Sequence, residues 1–119
     1  MRNLFVLFVL MFLCHACDDI IGVKDISSSS VKILAPTNNT VLKDTLITFS
    51  WEIVEDAERY HIQVATPSFS NALQIEADST LAGTSFSTTL GFKTYEWRVS
   101  AENSDYNTGY TIQSFKIEE

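Results

Sequence analysis

The stretch Cys14-His15-Ala16-Cys17 sets two thiols at the spacing of redox and metal-binding pairs. They are the only cysteines of the chain, and they adjoin an apolar run rather than a strand–helix unit. A redox or metal role therefore lacks both scaffold and further ligands. Beyond Cys17 no thiol nucleophile exists, and His61 is the only remaining histidine. A serine nucleophile would need His61 as its base, and no nucleophile-elbow sequence lies nearby. Glu52, Glu55, Asp56 and Glu58 crowd one short stretch. Calcium demands about six to eight oxygens on a loop that wraps the ion, and this spacing matches no EF-hand loop. A solvated turn is the expectation there, with no metal and no cofactor. Carboxylate pairs that hydrolyse glycosides work in a cleft, for which the sequence offers no sign. The chain is expected not to be an enzyme; a small hydrolase is the least supported reading.

Aromatic side chains offer binding chemistry instead. Phe49, Trp51, Tyr60, Tyr95 and Trp97 fall in phase with apolar strand positions, so they belong to a core. Phe69, Phe92, Tyr106 and Tyr110 fall in or beside loops. Exposed rings of this kind stack on sugars or anchor protein partners, or they cover the ends of a domain. These four are the candidate ligand contacts.

The elements that position them begin after a leader. Met1-Arg2-Asn3 is followed by an unbroken apolar run of ten residues, Leu4 to Leu13. A membrane-spanning helix needs about 20 such residues, whereas a run of about 7–15 after a positive start is a signal-peptide core. Ala16 then precedes Cys17. Apolar run, small residue and cysteine together resemble the lipobox of bacterial lipoproteins, although Cys14 stands where that family has leucine. The resemblance implies a signal peptide over residues 1–16 and a diacylglycerol on Cys17, anchoring the chain to a membrane. Asp18 and Asp19 follow directly. Acidic residues there resemble an inner-membrane retention signal in some Gram-negative lipoproteins. In others, such as those of surface starch-utilisation systems, they resemble a surface-export signal. The expected location is the outer membrane or cell surface of a Gram-negative bacterium. Residues 17–30, with the run Ser27 to Ser30, read as a flexible tether.

The formal charge is −7, from 8 basic and 15 acidic residues. Such a surface repels phosphate backbones, so no nucleic-acid partner is expected.

From Val31 onward the periodicity is two. Strands are expected at Val31–Leu34, Leu46–Val54 with Ile47, Phe49, Trp51 and Ile53 inward, and around Tyr60, Ile62 and Val64 with His61 and Gln63 outward. A fourth carries Leu73, Ile75 and Ala77 and stops at Asp78-Ser79. The rest lie around Phe86, over Thr94–Glu102, and over Thr111–Ile117, where Ile112 and Phe115 are out of phase and require a bulge. Seven short strands, each with one polar face, define an all-β antiparallel sandwich over residues 31–119.

Phe49-Ser50-Trp51-Glu52-Ile53 and Arg59-Tyr60-His61-Ile62-Gln63-Val64 resemble strands B and C of a fibronectin type III, immunoglobulin-like domain. Leu90 and Tyr95, with Trp97-Arg98-Val99, resemble its E–F corner and strand F, although Gly91-Phe92-Lys93 replaces the corner proline. The resemblance implies a module that binds a protein or glycan through loops or a sheet edge. The alternative is a structural accessory subunit of an envelope complex.

Overall fold

The computed structural model describes residues 22–119. The leader, Cys17 and the first part of the tether lie outside them.

Alternating side chains build eight strands: β1 (Ile33–Ala35), β2 (Thr40–Leu42), β3 (Leu46–Trp51), β4 (Arg59–Thr66), β5 (Gln74–Leu81), β6 (Ser85–Thr89), β7 (Thr94–Glu102) and β8 (Thr111–Ile117). They form a three-stranded sheet, β1-β3-β6, and a five-stranded sheet, β2-β8-β7-β4-β5. The inner faces meet through aromatic rings. Phe49 of β3 lies 4.8 Å from Trp97 and 5.7 Å from Phe115 across the sandwich. Trp51 packs on Tyr60 at 5.7 Å, and Tyr95 stacks on Phe115 at 5.2 Å. Each such pair adds about 0.5–1.5 kcal/mol beyond the area it buries. The indole N–H groups of Trp51 and Trp97 have no partner, a polar cost that this packing offsets.

Eight strands stand where seven are expected because the first edge divides. Pro36 offers no N–H to continue the ladder of β1. Asn39 turns the chain with φ 64, a conformation asparagine tolerates. Its N–H donates to the Ser114 carbonyl at 2.7 Å, and Asn38 Oδ1 accepts from Ser114 N–H at 2.8 Å. The chain is thereby handed to the other sheet, where β2 runs parallel to β8.

Four expectations are corrected. Ile53 is 81% exposed, because the ladder of β3 ends at Trp51. There Val54 turns inward, and its N–H donates to the Tyr60 hydroxyl at 2.9 Å. The fourth strand does not stop at Asp78-Ser79 but continues to Leu81, and Leu73, before its start, is 83% exposed. Ile75 faces outward because Glu76 is an extra residue in β5 between the pairs Val64–Ala77 and Ala65–Ile75. Strand β8 contains no bulge: its register against β7 is continuous, Phe115 and Ile117 face the core, and Ile112 faces solvent. Finally, packing begins upstream of residue 31. Ile26 is 2% exposed within the core, and Ser27 and Ser28 form a turn closed by Ser29 N–H to the Ile26 carbonyl at 2.9 Å. The serine run is thus part of the folded unit rather than free tether.

Candidate functional site

The five-stranded sheet carries a connected cluster on its outer face. Period-2 alternation sends Tyr60, Ile62 and Val64 into the core and leaves His61 and Gln63 outside. Register then decides their neighbours: Gln63 lies opposite Asp78 on one side and Arg98 on the other, and Arg98 lies opposite Ile112. Tyr110 enters from the end of the β7–β8 loop, and Phe69 from the β4–β5 loop.

These side chains close a ring. The Arg98 guanidinium lies 4.1 Å from the centre of the Phe69 ring and 4.4 Å from that of Tyr110. Its Nε donates to Gln63 Oε1 at 2.9 Å, and Gln63 Nε2 donates to Asp78 Oδ2 at 3.0 Å. Asp78 Oδ1 is 2.6 Å from His61 Nε2, and His61 Nδ1 is 2.6 Å from the Tyr110 hydroxyl. An ionised carboxylate only accepts, so Nε2 carries the proton toward Asp78, and in the neutral ring Nδ1 accepts from Tyr110 O–H. The His61 hydrogen bond first, and that of Gln63 second, hold the Asp78 carboxyl below its usual range.

Local chemistry brings Phe69 into place. Thr66 Oγ1 donates to the Thr94 carbonyl at 2.7 Å, and Leu73 N–H closes the loop on the Thr66 carbonyl at 2.9 Å. Phe69 N–H donates to Glu96 Oε1 at 2.9 Å. The loop therefore lies over the Ala65–Glu96 pair, and Ala65 is fully buried although it shares the outward phase of His61 and Gln63.

Of the four aromatic candidates, the fold brings Phe69 and Tyr110 together around Arg98. Phe92 and Tyr106 are exposed at opposite ends of β7 and take no part in the ring. Periodicity placed His61 and Gln63 on the outer face. It gave no sign of Arg98 and Asp78 as their partners; the register across β5, β4 and β7 was the missing information. Ile112 also joins this face, for the reason that removed it from the core.

The order hydroxyl–imidazole–carboxylate matches that of a proton relay, but the hydroxyl is phenolic and the ring lies open on a sheet. Clefts of about 180 Å³, lined by residues such as Val41, Ser114 and Lys116, and 160 Å³, lined by residues such as Pro36 and Leu46, fall elsewhere. Both are smaller than the roughly 300–1,000 Å³ of ordinary small-molecule pockets. Among the described residues no three His, Cys, Asp or Glu side chains converge to hold a metal. Glu58 and Glu102 instead flank Arg59, at 3.6 and 3.3 Å.

A two-sheet sandwich with a tyrosine hydroxyl bonding back to its own corner defines a class: Tyr95 Oη donates to the Gly91 carbonyl at 2.8 Å. Solved structures narrow the class to one fold. The fibronectin(III)-like modules of CbhA from Clostridium thermocellum superpose with a TM-score of 0.55 at 14% identity, covering 74% of this chain and 95% of that one. The fibronectin type III domain from the human KIAA0970 protein gives 0.54 at 10% identity and 82% of each chain. FN3tt gives 0.53 at 11%, over 76% of this chain and 97% of its own. The chain has the fibronectin type III fold. No family model and no curated protein sequence matches it.

Proposed function

We propose that this chain is a non-enzymatic envelope lipoprotein, lipidated on Cys17, which displays its sandwich at the outer membrane or cell surface as an interaction module for a protein or glycan. Its contact surface is the outer face of the five-stranded sheet. The observation that carries this reading is the Phe69–Arg98–Tyr110 stack. A half-buried guanidinium held over two aromatic rings is a prearranged anchor, and aromatic residues and arginine carry most interface energy. Exposed Val41, Ile75 and Ile112 extend apolar contact area on the same face. The fold supports an interaction role through its rigid sheets. The leader sequence and Cys17 support the anchor.

Labelled palmitate fed to expressing cells is expected to enter the wild-type chain and not the Cys17→Ser variant. Equal labelling of both would remove the anchor. For the surface, cross-linking on intact cells is expected to give partners that Arg98→Ala and Tyr110→Ala lose together. Retention of every partner by both variants would remove this contact face.

A further inference from the structure

Among the described residues there are two arginines, and the fold treats them differently. Arg59 is paired with Glu58 and Glu102. Among the described residues no carboxylate lies within ion-pair distance of Arg98, in a chain whose formal charge is −7, and its charge reaches Asp78 only as the smallest of the influences that lower that carboxyl. The acids on neighbouring outward positions are already engaged: Asp78, on β5 beyond Gln63, by His61 and Gln63, and Glu96, two residues along β7, by the Phe69 N–H. The Arg98 guanidinium carbon lies over the rings of both Phe69 and Tyr110, and Nε is held by Gln63. Its Nη1 and Nη2 atoms make no hydrogen bond among the described residues. What remains is a planar, two-pronged donor edge whose orientation is already fixed, the geometry that matches a carboxylate.

We propose that this edge binds the carboxylate of a uronic-acid residue in an acidic glycan. The inference rests on the contact face assigned above and names its ligand. Around the single cation lie the groups a sugar needs. Asp78 and Gln63 carry oxygens with lone pairs beyond those already used, which accept from ring hydroxyls. Ile112, directly opposite Arg98 in the register, offers an apolar surface to the C–H face of a pyranose. Charge distribution selects against an acidic peptide. A peptide added along the open edge of β5 would meet Asp78 and Glu76, and a run of acids would face the net negative charge of the domain. One carboxylate set among hydroxyls meets one cation set among acceptors.

The test is calorimetric titration of the full chain in detergent with an otherwise neutral oligomer of sugars bearing a single glucuronate, its methyl ester and an aspartate-rich peptide, repeated on Arg98→Lys and Arg98→Ala variants whose melting temperatures are measured alongside. The oligomer is expected to saturate one site. The methyl ester, which keeps the sugar but replaces the anionic carboxylate by a neutral, bulkier ester, is expected to bind at least about tenfold more weakly. Arg98→Lys, folded and still cationic, is expected to lose a similar factor, because an ammonium cannot present the fork. Equal binding of ester and acid, undiminished binding by Arg98→Lys, preference for the peptide, or no binding of the oligomer each overturns the inference. In the last case, cell-surface partners still lost by Arg98→Ala would leave the contact face standing without its sugar. Partners kept by that variant would remove both.

Discussion

Asn103 Nδ2 donates to the carbonyl of Lys24 at 2.8 Å, joining residues 79 positions apart. The same amide reaches the Asp56 carbonyl at 3.3 Å, while Oδ1 accepts from the N–H groups of Asp105 and Tyr106 at 3.1 and 2.9 Å. One buried asparagine thus ties the entering segment, the β3–β4 turn and the β7–β8 loop. Net worth is about 1 kcal/mol per hydrogen bond, more where a buried group is left unpaired. Asn103→Ala is expected to cost about 2–3 kcal/mol in denaturant unfolding. It is also expected to speed hydrogen exchange at the Ser29 amide, which closes the turn over Ile26. An unchanged Ser29 rate would show that the segment is held by Ile26 alone.

That tie shortens the tether. Cys17 stands seven residues before Lys24, and extended chain spans at most about 3.3–3.6 Å per residue, so a Cys17 acylated as proposed would have a reach of at most about 25 Å from Lys24. On that proposal, the end of the sandwich bearing Asn103 is expected to face the bilayer. A fluorophore on Asp105→Cys is expected to be quenched by headgroup-labelled lipid more strongly than one on Lys93→Cys, which lies at the other end of β7. Equal quenching would mean that the domain tumbles freely.

Most of the sandwich was legible in the sequence because one-sided alternation has one physical meaning on a strand. The corner came from resemblance instead: Leu90 and Tyr95 resemble the E–F corner of a fibronectin type III domain, and the phenol closes it on Gly91 without the usual proline. The misreadings share a cause. Ile53, Leu73, Ile75 and Ile112 are apolar residues that face solvent, and hydrophobicity alone assigns them to the core. A bulge at Glu76 and an early strand end at Trp51 are set by cross-strand partners that a linear pattern does not contain. The site was half legible for the same reason: Phe69 and Tyr110 stood out as loop aromatics, but Arg98 between them depends on register.

Tyr95→Phe isolates the corner bond. Burial raises the pKa of the phenol, so the hydroxyl stays protonated and donates throughout the stable range. Removing it leaves the Gly91 carbonyl unpaired and is expected to cost about 1–2 kcal/mol. Thermal denaturation at neutral pH measures it; a loss near zero would mean that water replaces the hydroxyl.

Asp78 predicts the behaviour in acid. Its folded pKa is depressed, so its bonds contribute stability above the ordinary carboxylate range, near 3.9, and lose it as pH falls through the lower folded value. Near neutral pH this group therefore adds no pH dependence. Proton resonances of Tyr110 and His61 are expected to shift together in that acid window, and Asp78→Asn is expected to abolish that shared shift. Unchanged behaviour in the variant would detach Asp78 from the ring.

The stack on Arg98 also makes a prediction independent of any ligand. Phe69 meets the guanidinium from a loop whose N–H is held by Glu96 and which closes on Thr66, so loop order and cation–ring contact are expected to be coupled. At a solvent-facing site a cation–ring pair is worth about 0.5–1 kcal/mol. A double-mutant cycle of Phe69→Leu and Arg98→Met is expected to give a coupling energy of that size, measured by denaturant unfolding. Leucine and methionine keep apolar bulk on the face and remove the ring and the charge, so the cycle reports the contact rather than lost packing. Coupling indistinguishable from zero would mean that Arg98 is positioned by Gln63 and Tyr110, with Phe69 merely lying over them.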